Sequence, residues 1–330
     1  MTSRKRSLSG IKPTGTPHIG NLLGMIQPAI ALQETHEAYY FVADLHALTT
    51  GRDPKVLRES TYEVTATFLA LGLDPTRSVF WRQSDVPEVV ELAWHLGCVT
   101  NLGLLLRAHA YKAAEEKGEE GTLSSGTFFY PVLMAADILA YDSDVVPVGK
   151  DQVQHIEMAQ DMAGHLNAIY GECLRRPEPL VRAEVHTIPG TDGRKMSKSY
   201  QNTIDIFLAD KALRKAVMTI KTDSTPVEDP KDPATCNVFQ LYRLVASAEE
   251  TAALAEKYRG GNYGYGHAKQ ELFEALVRHL GPARERYHSL LADRAHLDGV
   301  LADGAGRARV VARDVLERVR SKVGLPRLPR

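Results

Sequence analysis

Ser9-Gly10-Ile11-Lys12-Pro13-Thr14-Gly15-Thr16-Pro17-His18-Ile19-Gly20-Asn21 is the stretch on which the fold turns. A short β-like run, Ser7 to Ile11, ends in the turn signal Lys12-Pro13-Thr14-Gly15, and a helical pattern follows from about Asn21 to His36. Tyr39-Tyr40-Phe41-Val42-Ala43 is the next aromatic and β-branched run. Pro54 then opens a helix reaching about Leu71, Ser78-Val79-Phe80-Trp81 reads as a third strand, and Pro87 starts a third helix. Strands alternating with helices across short punctuation argue for an α/β fold, a parallel sheet wrapped by helices. Ligands of such sheets gather at the carboxyl ends of the strands.

Further along, the pattern changes between about residues 102 and 126, an insertion in which the charged, Gly-containing Lys112 to Gly121 reads as a mobile surface loop. Alternation returns with a helix near Tyr130 to Tyr141, a strand at Val145-Val146-Pro147-Val148 and a helix from Gln152 to Tyr170. Beyond about Thr203 the periodicity is mostly helical, with loops at Thr222 to Asn237 and Gly260 to Gly266. The chain therefore reads as domain 1–205, carrying the insertion, and an all-helical domain 206–330.

The composition narrows the function. A formal net charge of −1 over 330 residues excludes a protein that coats nucleic acid over its whole surface, so any such contact is local. Cys98, Cys173 and Cys236 are scattered and odd in number, and no Cys-x-x-Cys spacing occurs. Neither a disulfide framework nor a zinc or iron–sulfur site is expected. No apolar run is long enough for a membrane span, and no signal peptide follows the basic start, so a reducing cytoplasm fits.

Three constellations carry chemistry. At the start of the first helix, unpaired backbone N–H groups favour phosphate, His18 can donate to a phosphate oxygen, and Gly20 lets a flat ring approach the backbone. The same residues also fit a tight turn with a surface histidine. Gly193-Arg194-Lys195-Met196-Ser197-Lys198-Ser199 is a Gly- and Ser-bearing cationic loop that can grip the charge of a departing pyrophosphate, and it equally fits a solvated basic loop. In Phe129-Tyr130-Pro131-Val132-Leu133-Met134-Ala135-Ala136-Asp137-Ile138-Leu139, the i, i+4, i+7 spacing puts Tyr130, Met134 and Asp137 on one helix face. A ring, a thioether and a carboxylate suit indole, which has one N–H donor and no acceptor. A core helix whose Asp is satisfied by a neighbouring backbone group fits the spacing as well.

The first two strings, in this order and roughly 175 residues apart, resemble the signatures of class I aminoacyl-tRNA synthetases. The Tyr130–Leu139 string is similar to the specificity helix of the bacterial tryptophanyl-tRNA synthetase family, as is Asp144-Val145-Val146-Pro147-Val148-Gly149-Lys150-Asp151-Gln152, and the resemblance runs from Leu8 to the C-terminus. It implies a Rossmann-like catalytic domain and a helical anticodon-binding domain whose last helix packs back on the catalytic one. It implies activation of L-tryptophan by ATP, with Mg²⁺ held mainly by the ATP phosphates, then transfer to tRNA(Trp), in a homodimer. Asp137 would accept the indole N–H, with Met134, His46 of the Asp44-x-His46 element and Val146 lining the ring, and Tyr130 and Gln152 facing the ammonium group. Lys12, Pro13, Thr14, Gly20, Asn21 and Ile188 would serve ATP, with Gly149, Lys150 and Asp151 at its ribose, together with Lys195, Met196, Ser197, Lys198 and Ser199. His18 and Asn21 would act on the phosphates from one side, Lys195 and Lys198 from the other. The family's mobile lysine would be Lys112 or Lys117.

This sequence departs from the family by having Lys12 and Leu45 where Gln is common, and Leu8 where Phe is common. The added charge of Lys12 would strengthen phosphate contact or alter the tolerance for tryptophan analogues. From Arg294 to Arg330, nine Lys or Arg stand against four Asp or Glu. That tail reads as an RNA-contacting face, and also as an amphipathic helix with the apolar stripe Val310, Val311, Val315, Val319. The competing assignments are a tyrosyl-tRNA synthetase, a small-molecule adenylyltransferase without tRNA, and a catalytically weak copy kept as a binding partner.

Overall fold

The computed structural model describes residues 4–181 and 188–325, less the side chains of Ala110 and Asp151. In chain order its longer elements are β1 (Arg6–Ile11), β2 (Glu37–Val42), α1 (Pro54–Ala70), β3 (Val79–Arg82), α2 (Glu88–Val99), α3 (Ser125–Leu139), β4 (Val145–Val148), α4 (Val153–Tyr170) and β5 (Glu178–Val181). Then come α5 (Asp210–Met218), α6 (Asn237–Tyr242), α7 (Ala248–Gly260), α8 (Tyr265–Ala292) and α9 (Arg294–Val323). Two compact units result: Met1–Gly15 with Ala31–Glu184 and Asp293–Arg330, and Thr16–Ile30 with Val185–Ala292. Among the described residues no helix is long and apolar enough to cross a membrane.

The first unit is an α/β layer structure. Its five strands are all parallel, in the order β3-β2-β1-β4-β5. β2 shows why: Ala38, Tyr39, Tyr40, Phe41 and Val42 are all buried, so both faces of the sheet are covered, as parallel sheets require. The chain builds outward from β1 to β3, then returns to place β4 on the other side of β1. That reversal is the switch point where open α/β sheets leave a crevice. Register aligns the strand ends at this crevice. Ile11 pairs with Val42, and Val42 with Arg82, so the carboxyl ends of β1, β2 and β3 finish level. The residues that continue them, Lys12, Ala43 and Gln83, emerge side by side.

The core of this unit is aromatic. Trp81 is wholly buried, stacked on Phe41 at 5.7 Å and meeting Tyr141 edge-on at 4.8 Å between ring centroids. α9 joins the same core through Ala305, Ala308, Ala312, Val315, Leu316 and Val319. Its backbone comes so close to β3 that a Cβ on Gly304 would lie 1.9 Å from the Phe80 carbonyl oxygen, and only glycine fits there. The apolar stripe of this helix differs from the sequence reading at one place. Val311 packs partly against the core, whereas Val310 is 69% exposed, because adjacent residues on a helix point about 100° apart.

Much of the tail's positive charge is taken up inside the same unit. Arg309 and Arg313 pair with Glu88, Arg318 with Asp142, Arg320 with Glu91 and Arg294 with Glu59. Burial would raise the Glu88 carboxyl, but the hydrogen bonds from Arg309 and Arg313 outweigh it and hold the group below its ordinary value.

The second unit is helical, α5 to α8, with Phe207 stacked on Tyr287 at 3.7 Å. α7 begins with a reciprocal cap between Ser247 and Glu250. Two local expectations are corrected. The helix placed from Asn21 begins at Ile19 and widens into a π turn over Leu22–Ile26. The segment read as a loop from Lys112 contains a helix, His109–Glu115, followed by a turn at Glu120–Thr122. Lys112, Ala113, Ala114 and Glu115 are good helix formers, and the glycines that suggested a loop come only after them.

Candidate active site

In the first unit, the level carboxyl ends of β2 and β3 bring polar side chains against α3. Asp137, only 1% exposed, receives His46 Nε2 on Oδ2 at 2.8 Å. Gln83 Nε2 donates to both of its oxygens, each at 2.8 Å. The carboxylate is thus satisfied by side chains, not by the backbone group that the core-helix reading required. Burial pushes the Asp137 carboxyl above its ordinary value, and the bonds from His46 and Gln83 oppose that push. Asp44 secures the turn that carries His46, accepting the N–H groups of Leu45 and Ser84 at 3.0 Å each.

Beside this group lies a second chain of polar contacts. Gln152 Oε1 can only accept, so His155 Nδ1 donates to it, at 2.8 Å. His155 Nε2 on the other side of the ring lies 3.3 Å from the Tyr130 hydroxyl. The Tyr130 and His46 rings meet edge to face at 6.4 Å. Tyr130, Gln152, His46 and Asp137 are therefore linked through direct contacts in one unit. Val146 is buried on β4 and Met134 packs partly buried against the core. Lys12 Nζ donates to the Thr50 hydroxyl at 2.9 Å and reaches that of Thr49 at 3.5 Å, and burial lowers its pKa. Gly149 precedes the single turn Lys150–Gln152, and the side chain of Asp151 lies outside the described residues.

The second unit holds both other constellations. His18 caps the helix that starts at Ile19: its Nδ1 accepts the Asn21 N–H at 3.2 Å, while Asn21 Oδ1 accepts the His18 N–H, also at 3.2 Å. Burial, and then the charge of Lys198, lower the His18 pKa to about 4. With the ring neutral and Nδ1 occupied as an acceptor, its proton sits on Nε2, which leaves a donor. Gly20 serves this arrangement in a way the sequence did not show. A Cβ there would stand 2.9 Å from the His18 ring. The Gly20 N–H is directed at Met196 Sδ, 3.4 Å away, which ties the helix start to the cationic loop.

That loop is anchored from beneath. Met196 is buried, and its N–H donates to the Ile188 carbonyl at 2.9 Å. Asn202, also buried, donates to Asp192 at 2.7 Å and to the Lys195 carbonyl at 3.1 Å, and accepts the Ser197 N–H at 2.8 Å. The hydroxyls of Ser197 and Ser199 meet at 2.8 Å. Lys198 opens a short turn through Tyr200.

Among the residues here outside the sequence-derived set, Gln83 and Asn202 hold the most contacts. Nothing in a local string points to either. Gln83 arrives through strand register, and Asn202 by folding back across a turn. Neither Lys112 nor Lys117 has a described contact that separates them as candidates for the family's mobile lysine.

The description "tRNA synthetases class I (W and Y)" matches residues 2–281. The tryptophan–tRNA ligase of Rhodopirellula baltica is 50% identical over 320 residues, covering 97% of this chain and 99% of that one. Its counterpart in Fusobacterium nucleatum is 46% identical over 322 residues, covering 97% and 98%. The crystal structure of tryptophanyl-tRNA synthetase from Campylobacter jejuni, complexed with ADP and tryptophan, superimposes with a TM-score of 0.92 at 46% identity, covering 97% of this chain and all of that one. The chain belongs to the class I tRNA synthetases of tryptophan and tyrosine and, within them, to the tryptophan–tRNA ligases.

Proposed function

We propose that Asp137 accepts the indole N–H of L-tryptophan, and that the chain converts the amino acid and ATP to tryptophanyl-adenylate before loading tRNA(Trp). The observation that carries this is the buried Asp137 carboxylate, held by His46 and Gln83 beside Tyr130. An N–H donor completes such a site, and a ligand without one leaves a buried acceptor unpaired. Tyr130 and Gln152 face the ammonium group, and Met134, Val146 and His46 line the ring.

In the first step the tryptophan carboxylate attacks the α-phosphorus of ATP and pyrophosphate leaves. No side chain acts as nucleophile, so rate comes from positioning and from charge placed where charge develops. His18 donates from Nε2 to a phosphate oxygen and Asn21 from its side-chain amide, because the helix-start N–H groups of Ile19, Gly20 and Asn21, expected from the sequence to be unpaired, already have partners in Ile204, Met196 and His18. Lys195 and Lys198 neutralise the departing pyrophosphate, on a loop fixed by Met196 and Asn202. Lys12, Pro13, Thr14, Gly20, Ile188, Ser197 and Ser199 complete the nucleotide contacts, with Gly149, Lys150 and Asp151 at the ribose. Mg²⁺ enters with ATP and is held by its phosphates, since the groups around His18 are mainly donors and cations. In the second step a terminal ribose hydroxyl of the tRNA takes the tryptophanyl group.

The working form is a homodimer. Val90, Trp94 and Cys98 repeat at i, i+4 and i+8 along α2 and are exposed, Trp94 by 69%, with exposed Leu102 just beyond; such a stripe suits burial against a second copy. The unpaired cysteines suit the reducing cytoplasm. Of the residues, 1–205 carry catalysis and 206–330 form the helical part that reads the anticodon, its last helix, α9, packing in the unit that holds the sheet.

ATP–pyrophosphate exchange driven by each proteinogenic amino acid in turn tests the reading. Exchange with tryptophan alone is expected, and exchange with tyrosine instead would overturn it. Light scattering checks the dimer: Trp94→Glu is expected to yield monomers.

A further inference from the structure

Gln83 makes four contacts that leave its amide only one orientation. Its Oε1 accepts the backbone N–H groups of Leu45 at 3.1 Å and His46 at 3.3 Å, so its NH₂ must face Asp137. Rotating the amide would set two donors against donors and an acceptor against a carboxylate. The residue is 1% exposed, so water cannot substitute for any of these partners.

The consequence falls on Asp137. A carboxylate offers about four acceptor positions, two on each oxygen. Among the described residues, Oδ2 accepts from His46 and Gln83, and Oδ1 from Gln83 alone. One acceptor position remains, on Oδ1. The Leu45 and His46 amides fix Gln83, and Gln83 fixes which oxygen has capacity left.

We propose that Gln83 is a positioning residue for amino-acid selection, aiming the remaining lone pair of Asp137 Oδ1 at the single N–H donor of the substrate ring. This rests on the reading of Asp137 given above. It assigns selectivity to a side chain at the end of β3 that acts only through another residue.

The test compares L-tryptophan with β-(benzothiophen-3-yl)alanine, which has the same ring shape and no N–H. The ratio of their kcat/KM values in ATP–pyrophosphate exchange is measured for the unaltered chain, Gln83→Met, Asp137→Asn and the double variant. Gln83→Met keeps side-chain length and removes the hydrogen bonds, and it is expected to lower the ratio by about 10- to 100-fold, mainly through the KM for tryptophan, with the KM for ATP unmoved. The double variant is expected to be no less selective than Asp137→Asn alone, because Gln83 has no route to the ring except Asp137. Gln83→Asn, which retains an amide but shortens its reach, is expected to shift the ratio in the same direction and covers a Gln83→Met chain that does not fold.

An unchanged ratio in a folded Gln83 variant, with Asp137→Asn collapsing it, overturns the role of Gln83 and leaves Asp137 as the indole acceptor. An unchanged ratio in Asp137→Asn overturns both. Additive losses in the double variant also overturn the proposal, since they mean Gln83 acts independently of Asp137.

Discussion

Asn202 donates to Asp192 at 2.7 Å while its carbonyl oxygen accepts the Ser197 N–H at 2.8 Å, so one buried amide joins the start of the cationic loop to its middle. The bond from Asn202 is the main reason the Asp192 carboxyl is held at about 2. Asn202→Ala would release Ser197 and the Lys195 carbonyl together and leave both lysines poorly placed. The expected result is a fall in the kcat of ATP–pyrophosphate exchange of up to about 100-fold, with tryptophan binding by equilibrium dialysis unchanged.

Gly20→Ala sets a methyl group 2.9 Å from the His18 ring. Either the ring or the helix start must move, and the Nε2 donor moves with it. Exchange kinetics should show kcat/KM for ATP lowered about 10- to 100-fold, with the KM for tryptophan retained.

Asp137→Ala removes the acceptor proposed for the indole N–H. Tryptophan activation should fall about 100-fold or more through KM, while ATP binding measured by calorimetry stays as it was. An unaltered apparent affinity for tryptophan would remove Asp137 from the selection mechanism.

His18 has a pH signature of its own. Its folded pKa is about 4 against an ordinary value of 6.5, so between those limits the unfolded chain binds a proton that the folded chain does not. Its contribution therefore makes stability fall as pH drops from about 6.5 to about 4. His18→Gln should flatten that part of the urea-denaturation profile, and NMR should show the His18 ring neutral at pH 6.

Glu88 acts at lower pH. Its folded carboxyl lies below the ordinary 4.5, so its stabilising pairing with Arg309 and Arg313 is fully present above that value and is lost as pH falls through the folded one. Glu88→Gln should cost about 1–3 kcal/mol at pH 7, measured by urea denaturation, and the difference from the unaltered chain should vanish in acid.

How much of this the sequence could show depended on distance along the chain. The sheet was legible because β2 is a continuous apolar run, and such runs occur where both faces of a strand are buried. The helix start near His18 and the Lys195–Ser199 string were legible because each is local, but the reciprocal cap by which His18 and Asn21 occupy each other's N–H groups was not. Gln83 was not, since only the register of β2 against β3 sets it beside Leu45, His46 and Asp137. Asn202 reaches Asp192 across a turn whose geometry no string encodes. The basic tail looked like an RNA face because its acidic partners, Glu59, Glu88, Glu91 and Asp142, lie more than 170 residues earlier.

Gly304 sets a timetable for the nascent chain. β3 is at the edge of the sheet, and the helix laid against Phe80 is made roughly two hundred residues later. During synthesis the strand edge leaves the ribosome long before its cover exists, so the first unit cannot finish folding ahead of the second. A chain that stops before Arg294 is therefore expected to leave Phe80 and the edge strand uncovered.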